Sequence, residues 1–140
     1  MIKRLLLFVF ALLSVCYADN WTSINGSEIQ TTIGYGKAGA QYICEWIKNP
    51  DYDGLTINVK SATPLNIGKY RTSCLLLGDY VFCATMYDGY GDNSVLVRVR
   101  GRKLKELLNG ETCDAVIMVA GYQIRTTINT EIGEFKENKL

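Results

Sequence analysis

The amino-acid sequence predicts a mainly β protein: a small antiparallel β-sandwich or barrel with one short helix, exported and stapled by disulfides. Three observations carry that expectation. Several short segments alternate apolar and polar residues with the period of a half-buried strand. Gly, Asn, Asp and Pro clusters punctuate those segments, with no repeating strand–helix rhythm between them. Four cysteines follow an amino-terminal stretch that reads as an export signal. Nine tyrosines and only two prolines suit pleated, half-buried surfaces.

The export signal comes first. Lys3 and Arg4 give a positive start, and residues 5–13 form an unbroken apolar run. Cys16-Tyr17-Ala18 then places small residues at the −3 and −1 positions of a cleavage site. The run is too short for a comfortable transmembrane span. Cleavage is expected after Ala18, leaving 19–140 as a single β-rich domain in the periplasm or outside the cell. Lipidation at Cys16 is the rival reading, weakened because Val15 stands where a lipobox expects a small residue. Cleavage removes two basic residues and no acid, so the net charge of +1 becomes −1. That balance argues against a nucleic-acid partner. No other stretch is apolar and long enough to cross a membrane.

The elements follow in order. Residues 19–28 are polar and turn-like. Residues 29–33 predict a strand, and Gly34-Tyr35-Gly36-Lys37-Ala38-Gly39 a turn. Residues 40–47 predict a second strand, closed by the turn cluster Asn49-Pro50-Asp51-Tyr52-Asp53-Gly54. Residues 55–60 alternate, with Leu55, Ile57 and Val59 facing in and Thr56, Asn58 and Lys60 facing out. A hairpin is expected over 70–86 and a loop over 88–93. Residues 94–100 alternate again, with Val95, Val97 and Val99 on one face. Leu104, Leu107 and Leu108 stand at helical spacing within 102–109, and Gly110 suits the helix stop. A closing strand pair over 112–120 and 122–130 turns at Gly121. The charged tail 131–140 is expected to fray.

The cysteines fit that layout. Cys74, Cys83, Cys44 and Cys113 remain after cleavage, an even number in an exported chain. With Gly78-Asp79 as a two-residue turn, Leu77 faces Tyr80, Leu76 faces Val81, Leu75 faces Phe82, and Cys74 faces Cys83. Counting outward puts the cysteines on a non-hydrogen-bonded pair, where side chains approach closest. A Cys74–Cys83 bridge is therefore expected, and by elimination a Cys44–Cys113 bridge worth roughly 4 kcal/mol on a chain-entropy estimate.

Chemistry is bounded by what the chain lacks. It contains no histidine, which excludes His-activated nucleophiles and His-containing zinc or copper sites. Gly34-x-Gly36-x-x-Gly39 matches a dinucleotide fingerprint as a string, but an aromatic strand follows where a helix is needed. Asn49-x-Asp51-x-Asp53-Gly54 resembles half a calcium loop, yet Lys60 stands where the closing Glu belongs. No cofactor and no metal site is predicted. Two contact surfaces remain. Tyr87, Asp88, Tyr90 and Asp92 sit on a Gly-rich loop, where rigid amphipathic tyrosines can stack on a sugar or grip a protein. Arg98, Arg100 and Arg102 lead a basic cluster able to hold phosphate or carboxylate bidentately. Asn20-Trp21-Thr22 and Asn25-Gly26-Ser27 are glycosylation sequons in a eukaryotic host.

From Tyr70 to about Tyr122 the chain shows Arg71-Thr72-x-Cys74, a second Cys after a Gly, a short helix, a Gly and a closing strand. This layout is similar to the invasion-associated locus B family of exported bacterial β-sandwich proteins. The resemblance implies a non-enzymatic envelope or host-contact protein. On the residues themselves, the expectation is an exported, non-enzymatic binding module that contacts an envelope or extracellular protein, or a glycan. Inhibition, assembly, exclusion or immunity, and host interaction are the roles such a module serves. A small carboxylate-based glycan-acting enzyme is the alternative, requiring two facing Asp or Glu.

Overall fold

The chain winds into a closed wall of antiparallel strands, seen in a computed structural model that describes residues 21–48, 54–66, 72–100, 104, 107 and 112–130. The strands are β1 (Thr22–Ile24), β2 (Ser27–Tyr35), β3 (Gln41–Lys48), β4 (Gly54–Ser61), β5 (Thr72–Leu77), β6 (Tyr80–Asp88), β7 (Ser94–Arg100), β8 (Thr112–Val119) and β9 (Tyr122–Asn129). Around the wall they run β2-β3-β4-β7-β6-β5-β8-β9, and β9 returns to β2 at Tyr35↔Arg125. The fold is thus an eight-stranded barrel, and β1 folds back on β2 outside the ring.

Side-chain alternation decides what fills it. Leu55, Ile57 and Val59 on β4 and Val95, Val97 and Val99 on β7 are fully buried, as their alternation predicts. Trp46, Leu75, Leu77, Ile117, Ile124 and Ile128 join them. Burying each such side chain is worth about 1.5–3 kcal/mol. Of the predicted helix, Leu104 and Leu107 are described, and both are helical. Leu104 is buried in the core and Leu107 packs against it.

Strand β2 inverts the usual pattern. Glu28, Gln30 and Thr32 turn inward while Ile29 and Ile33 face outward. Polar atoms go inside only when they are partnered, and here they are. Trp46 Nε1 donates to Thr32 Oγ1 at 2.9 Å, and Thr126 Oγ1 lies 2.9 Å from the same oxygen. Glu28 pairs with Lys48 at 3.1 Å, and Lys48 lies 4.1 Å from the centre of a Trp21 ring. Gly34 gives this crowded wall its clearance. A Cβ there would stand 2.5 Å from Ile124 Cγ2.

The two-residue turns are tight. Asn25 and Gly26 both have positive φ (50° and 85°), as do Ala120 and Gly121 (49° and 88°), which matches the primed hairpin turn whose twist suits the strands. Gly78 at φ 57° opens the β5–β6 turn. The β5–β6 register is the predicted one, from Leu77↔Tyr80 out to Cys74↔Cys83.

The disulfide staple is corrected. Cys44, Cys74, Cys83 and Cys113 are all free thiols. Cys44 on β3 and Cys113 on β8 are separated by β9 and β2, three strand steps of about 4.8 Å each. That exceeds the Cα separation of at most about 7 Å that a disulfide spans. Cys74 does face Cys83, but its sulfur contacts the neighbour on its other side, with Sγ 3.6 Å from Met118 Sδ on β8. Residues 1–20, the 49–53 cluster, Arg102, Leu108 and the tail 131–140 lie outside the described residues.

Candidate functional site

The structure brings together two features that the sequence keeps apart. Tyr87 on β6 and Arg98 on β7 both face outward from paired strands, and the Arg98 guanidinium carbon lies 5.9 Å from the centre of the Tyr87 ring. Arg98 Nε also points at Thr56 Oγ1, 3.4 Å away. Arg100 shares this outer face. Asp88 ends β6, while Tyr90 and Asp92 occupy the following loop and are exposed, Tyr90 at 85%. The loop is tied down. Tyr90 N–H donates to Ser94 Oγ at 2.8 Å, Leu65 N–H to Asp92 O at 2.8 Å, and Ser61 N–H to Asn93 O at 2.8 Å. Gly89 is required there, since a Cβ would stand 2.2 Å from Ser94 Oγ.

A second site forms at one mouth of the barrel, where β2 ends, β3 begins and the β8–β9 turn closes. Tyr35, Gly36, Lys37, Tyr42, Gly121, Tyr122, Gln123 and Arg125 line a cleft of about 620 Å³. That volume lies within the range of small-ligand sites. Tyr42 forms the floor, buried and edge-on to Tyr122, with ring centroids 6.5 Å apart and planes at 71°. Burial pushes the Tyr42 phenol above its ordinary pKa, and Tyr122 beside it adds to the shift. The floor is therefore neutral across the physiological range. Tyr122 OH accepts the Asn66 N–H at 2.7 Å, which fixes its ring. Gly36 lets the Tyr42 ring approach, since a Cβ would lie 2.8 Å from Tyr42 Cε2.

The walls carry the charge. Tyr35 and Arg125 are register partners across the β2–β9 closure, and both are exposed. Lys37 stands on the short 3-10 turn Lys37–Gly39. Among the described lining residues two are cations and none is a carboxylate. Such a cleft offers an aromatic surface, phenolic and amide hydrogen bonds, and positive charge.

Sequence reasoning identified 34–39 only as a turn and did not single out Tyr42, Tyr122 or Arg125. Closure of the sheet, which joins β2 to β9, brings them together. The local signal was a tyrosine beside a glycine in both turns, Tyr35-Gly36 and Gly121-Tyr122.

Comparison of the chain with protein-family models, curated proteins and solved structures finds no match. The likeness of layout to the invasion-associated locus B family gains no support from it. Among the described residues no group of three or more His, Cys, Asp or Glu could hold a metal ion. Among them, too, no helix is long and apolar enough to cross a membrane. Two of the thiols, Cys44 and Cys113, are held in the protonated form by burial. Burial pushes Cys44 up to about 12 against a side-chain hydrogen bond with Thr32 that lowers it, and burial followed by Asp114 raises Cys113.

Proposed function

We propose that this chain is an exported, non-enzymatic binding module that acts by contact with another macromolecule, and that the barrel-mouth cleft makes the contact. One observation carries the reading. Tyr35 and Lys37 from one part of the sequence, and Tyr122 and Arg125 from another, converge over the buried phenol of Tyr42. A glycan-cleaving site needs two carboxylates roughly 5–10 Å apart. The described lining of the cleft supplies none, which favours binding over cleavage.

The test is capture of the tagged chain, after crosslinking, from the envelope and medium of the cells that make it. The reading expects an amino terminus at Asp19 and one stoichiometric partner, lost in Arg125→Glu and Tyr35→Ala. Retention of the same partner by both folded variants overturns the site. A second contact face is favoured by the Tyr87–Arg98 stacking on the outer wall. It expects partner loss on changing Arg98, Arg100 and Arg102 to Glu, with Arg125→Glu silent.

A further inference from the structure

Three sulfur side chains stand in one row across the outer wall. Cys74 on β5 is the register partner of Cys83 on β6 at one side and of Met118 on β8 at the other. The neighbours of each in sequence turn inward: Leu75 on β5, Phe82 on β6, Ile117 and Val119 on β8 are buried. Alternation therefore turns Cys83, Cys74 and Met118 outward together. Cys83 is exposed. Cys74 and Met118 are half-buried and line an open hollow of about 400 Å³.

The spacing of the row suits one small ion. Counted outward from the Gly78-Asp79 turn, Cys74 and Cys83 form a non-hydrogen-bonded pair, with Cα atoms about 4.5 Å apart. The step from Cys74 to Met118 is then the wider, hydrogen-bonded kind, about 5.5 Å. The longer methionine side chain spans it, and Met118 Sδ lies 3.6 Å from Cys74 Sγ. Two sulfurs bound to one metal in a trigonal plane, with bonds of about 2.3 Å, stand about 4 Å apart. The flanking rows on these strands carry no charge. Val81, Leu76 and Val116 lie on one side, and Thr85 and Thr72 on the other. An apolar flank of that kind limits the access of water to a metal.

We propose that Cys83, Cys74 and Met118 form a binding site for a soft monovalent metal ion, copper(I). The donor set selects the metal. Thiolate and thioether sulfurs together favour Cu(I). Zinc(II) takes four ligands drawn from Cys, His, Asp and Glu. The chain has no His, and the row and its flanks hold no carboxylate. Methionine supplies the third ligand, which no grouping of His, Cys, Asp and Glu contains. On binding, each thiol gives up its proton to solvent and the ion gains two thiolates and one thioether. Copper stays in the same oxidation state, and the filled site carries one net negative charge. The other two cysteines cannot join it, since Cys44 is buried in the core and Cys113 packs against it. The site also stands apart from the mouth contact, because Tyr35, Lys37 and Arg125 are absent from it.

The test is a titration of the purified exported chain with Cu(I), without oxygen, against the coloured chelator bicinchoninate, followed by X-ray absorption of the complex. One Cu(I) per chain is expected to leave the chelator and to show a first shell of three sulfurs. Cys83→Ser, at an exposed position, should weaken uptake by more than about 100-fold, the upper end of what loss of an outer-shell partner costs. Cys74→Ser should do the same. Met118→Leu keeps the volume, and it should bind more weakly through two sulfurs. Cys113→Ser and Arg125→Glu should bind as the parent chain does. Circular dichroism checks that each variant keeps its strands. Zn(II) at the same concentration should not displace the copper. No uptake by a chain with four free thiols overturns the proposal. So does undiminished uptake by folded Cys83→Ser, a three-sulfur shell that survives Met118→Leu, or displacement by Zn(II). A Cys74–Cys83 disulfide in the chain as isolated overturns it too, because the oxidised pair has no thiolate to offer.

Discussion

The side-chain amide of Gln30 is bonded at both ends to the backbone of Asn129. Its Nε2 donates to the Asn129 carbonyl at 2.8 Å, and its Oε1 accepts the Asn129 N–H at 2.9 Å. Strands β2 and β9 are in ladder register only at Tyr35↔Arg125, so this amide stands in for a backbone pair lower down the seam. Trp21 Nε1 donates to the same carbonyl at 2.6 Å, and Thr126 Oγ1 donates to the Ile33 carbonyl at 2.8 Å. The barrel is closed along this line by side chains. The mouth cleft depends on that closure, because Tyr35 and Arg125 meet across it.

Gln30→Leu therefore tests the seam. The apolar side chain suits the interior, but it removes both hydrogen bonds that join Gln30 to the Asn129 backbone. The expected loss is about 1–3 kcal/mol, the net worth of two such bonds. Urea denaturation should show a lower midpoint at an unchanged slope. An unaltered midpoint would mean that the seam is held elsewhere.

Alkaline pH tests the buried thiol of Cys44. Burial raises it in the folded chain from 9.0 to about 12. Between those values the unfolded chain has lost the proton and the folded chain keeps it. The unfolded state then binds fewer protons, so stability falls as pH rises through this window. The slope attributable to Cys44 approaches about 1.4 kcal/mol per pH unit at most. Below pH 9 this contribution is fully present. Cys44→Ala should flatten the fall between pH 9 and 11, measured as the urea midpoint against pH. A slope unchanged in the variant would remove Cys44 as its source.

Alkylation tests the correction to the disulfides. Cys83 is exposed, Cys74 and Cys113 are half-buried, and Cys44 is fully buried. Cys83 should react first with iodoacetamide under native conditions, and Cys44 only on unfolding. Mass spectrometry after denaturation without reductant should count all four as alkylated. A Cys74–Cys83 peptide pair that resists labelling would restore the bridge.

The sequence made much of the barrel wall legible. Clean alternation on β4 and β7 placed six core residues, and the Gly78-Asp79 turn set the β5–β6 register pair by pair. It did so because those signals are local, a period of two and a turn of fixed length. Strand β1 was missed although Asn25-Gly26 is a strong hairpin signal, because only three residues precede the turn within it. The inward polar face of β2 was hidden for a different reason. Gln30 and Thr32 are tolerated inside through partners almost a hundred residues away, Asn129 and Thr126. The mouth cleft was illegible on the same ground. Tyr42, Tyr122 and Arg125 share no local pattern, and only ring closure makes them neighbours. The outer Tyr87–Arg98 contact was half visible, as two separate clusters whose meeting needed the β6–β7 register.

The most direct measurement replaces Tyr35, and in a second variant Tyr87, with a photo-crosslinking benzophenone residue in the cells that make the protein. Both side chains are exposed, at 52% and 46%, so each reports its own surface equally well. The mouth reading predicts a discrete adduct from position 35, carrying protein or carbohydrate mass, that disappears when Arg125→Glu is added. An adduct from position 87 alone would contradict it and move the contact to the outer face of β6 and β7.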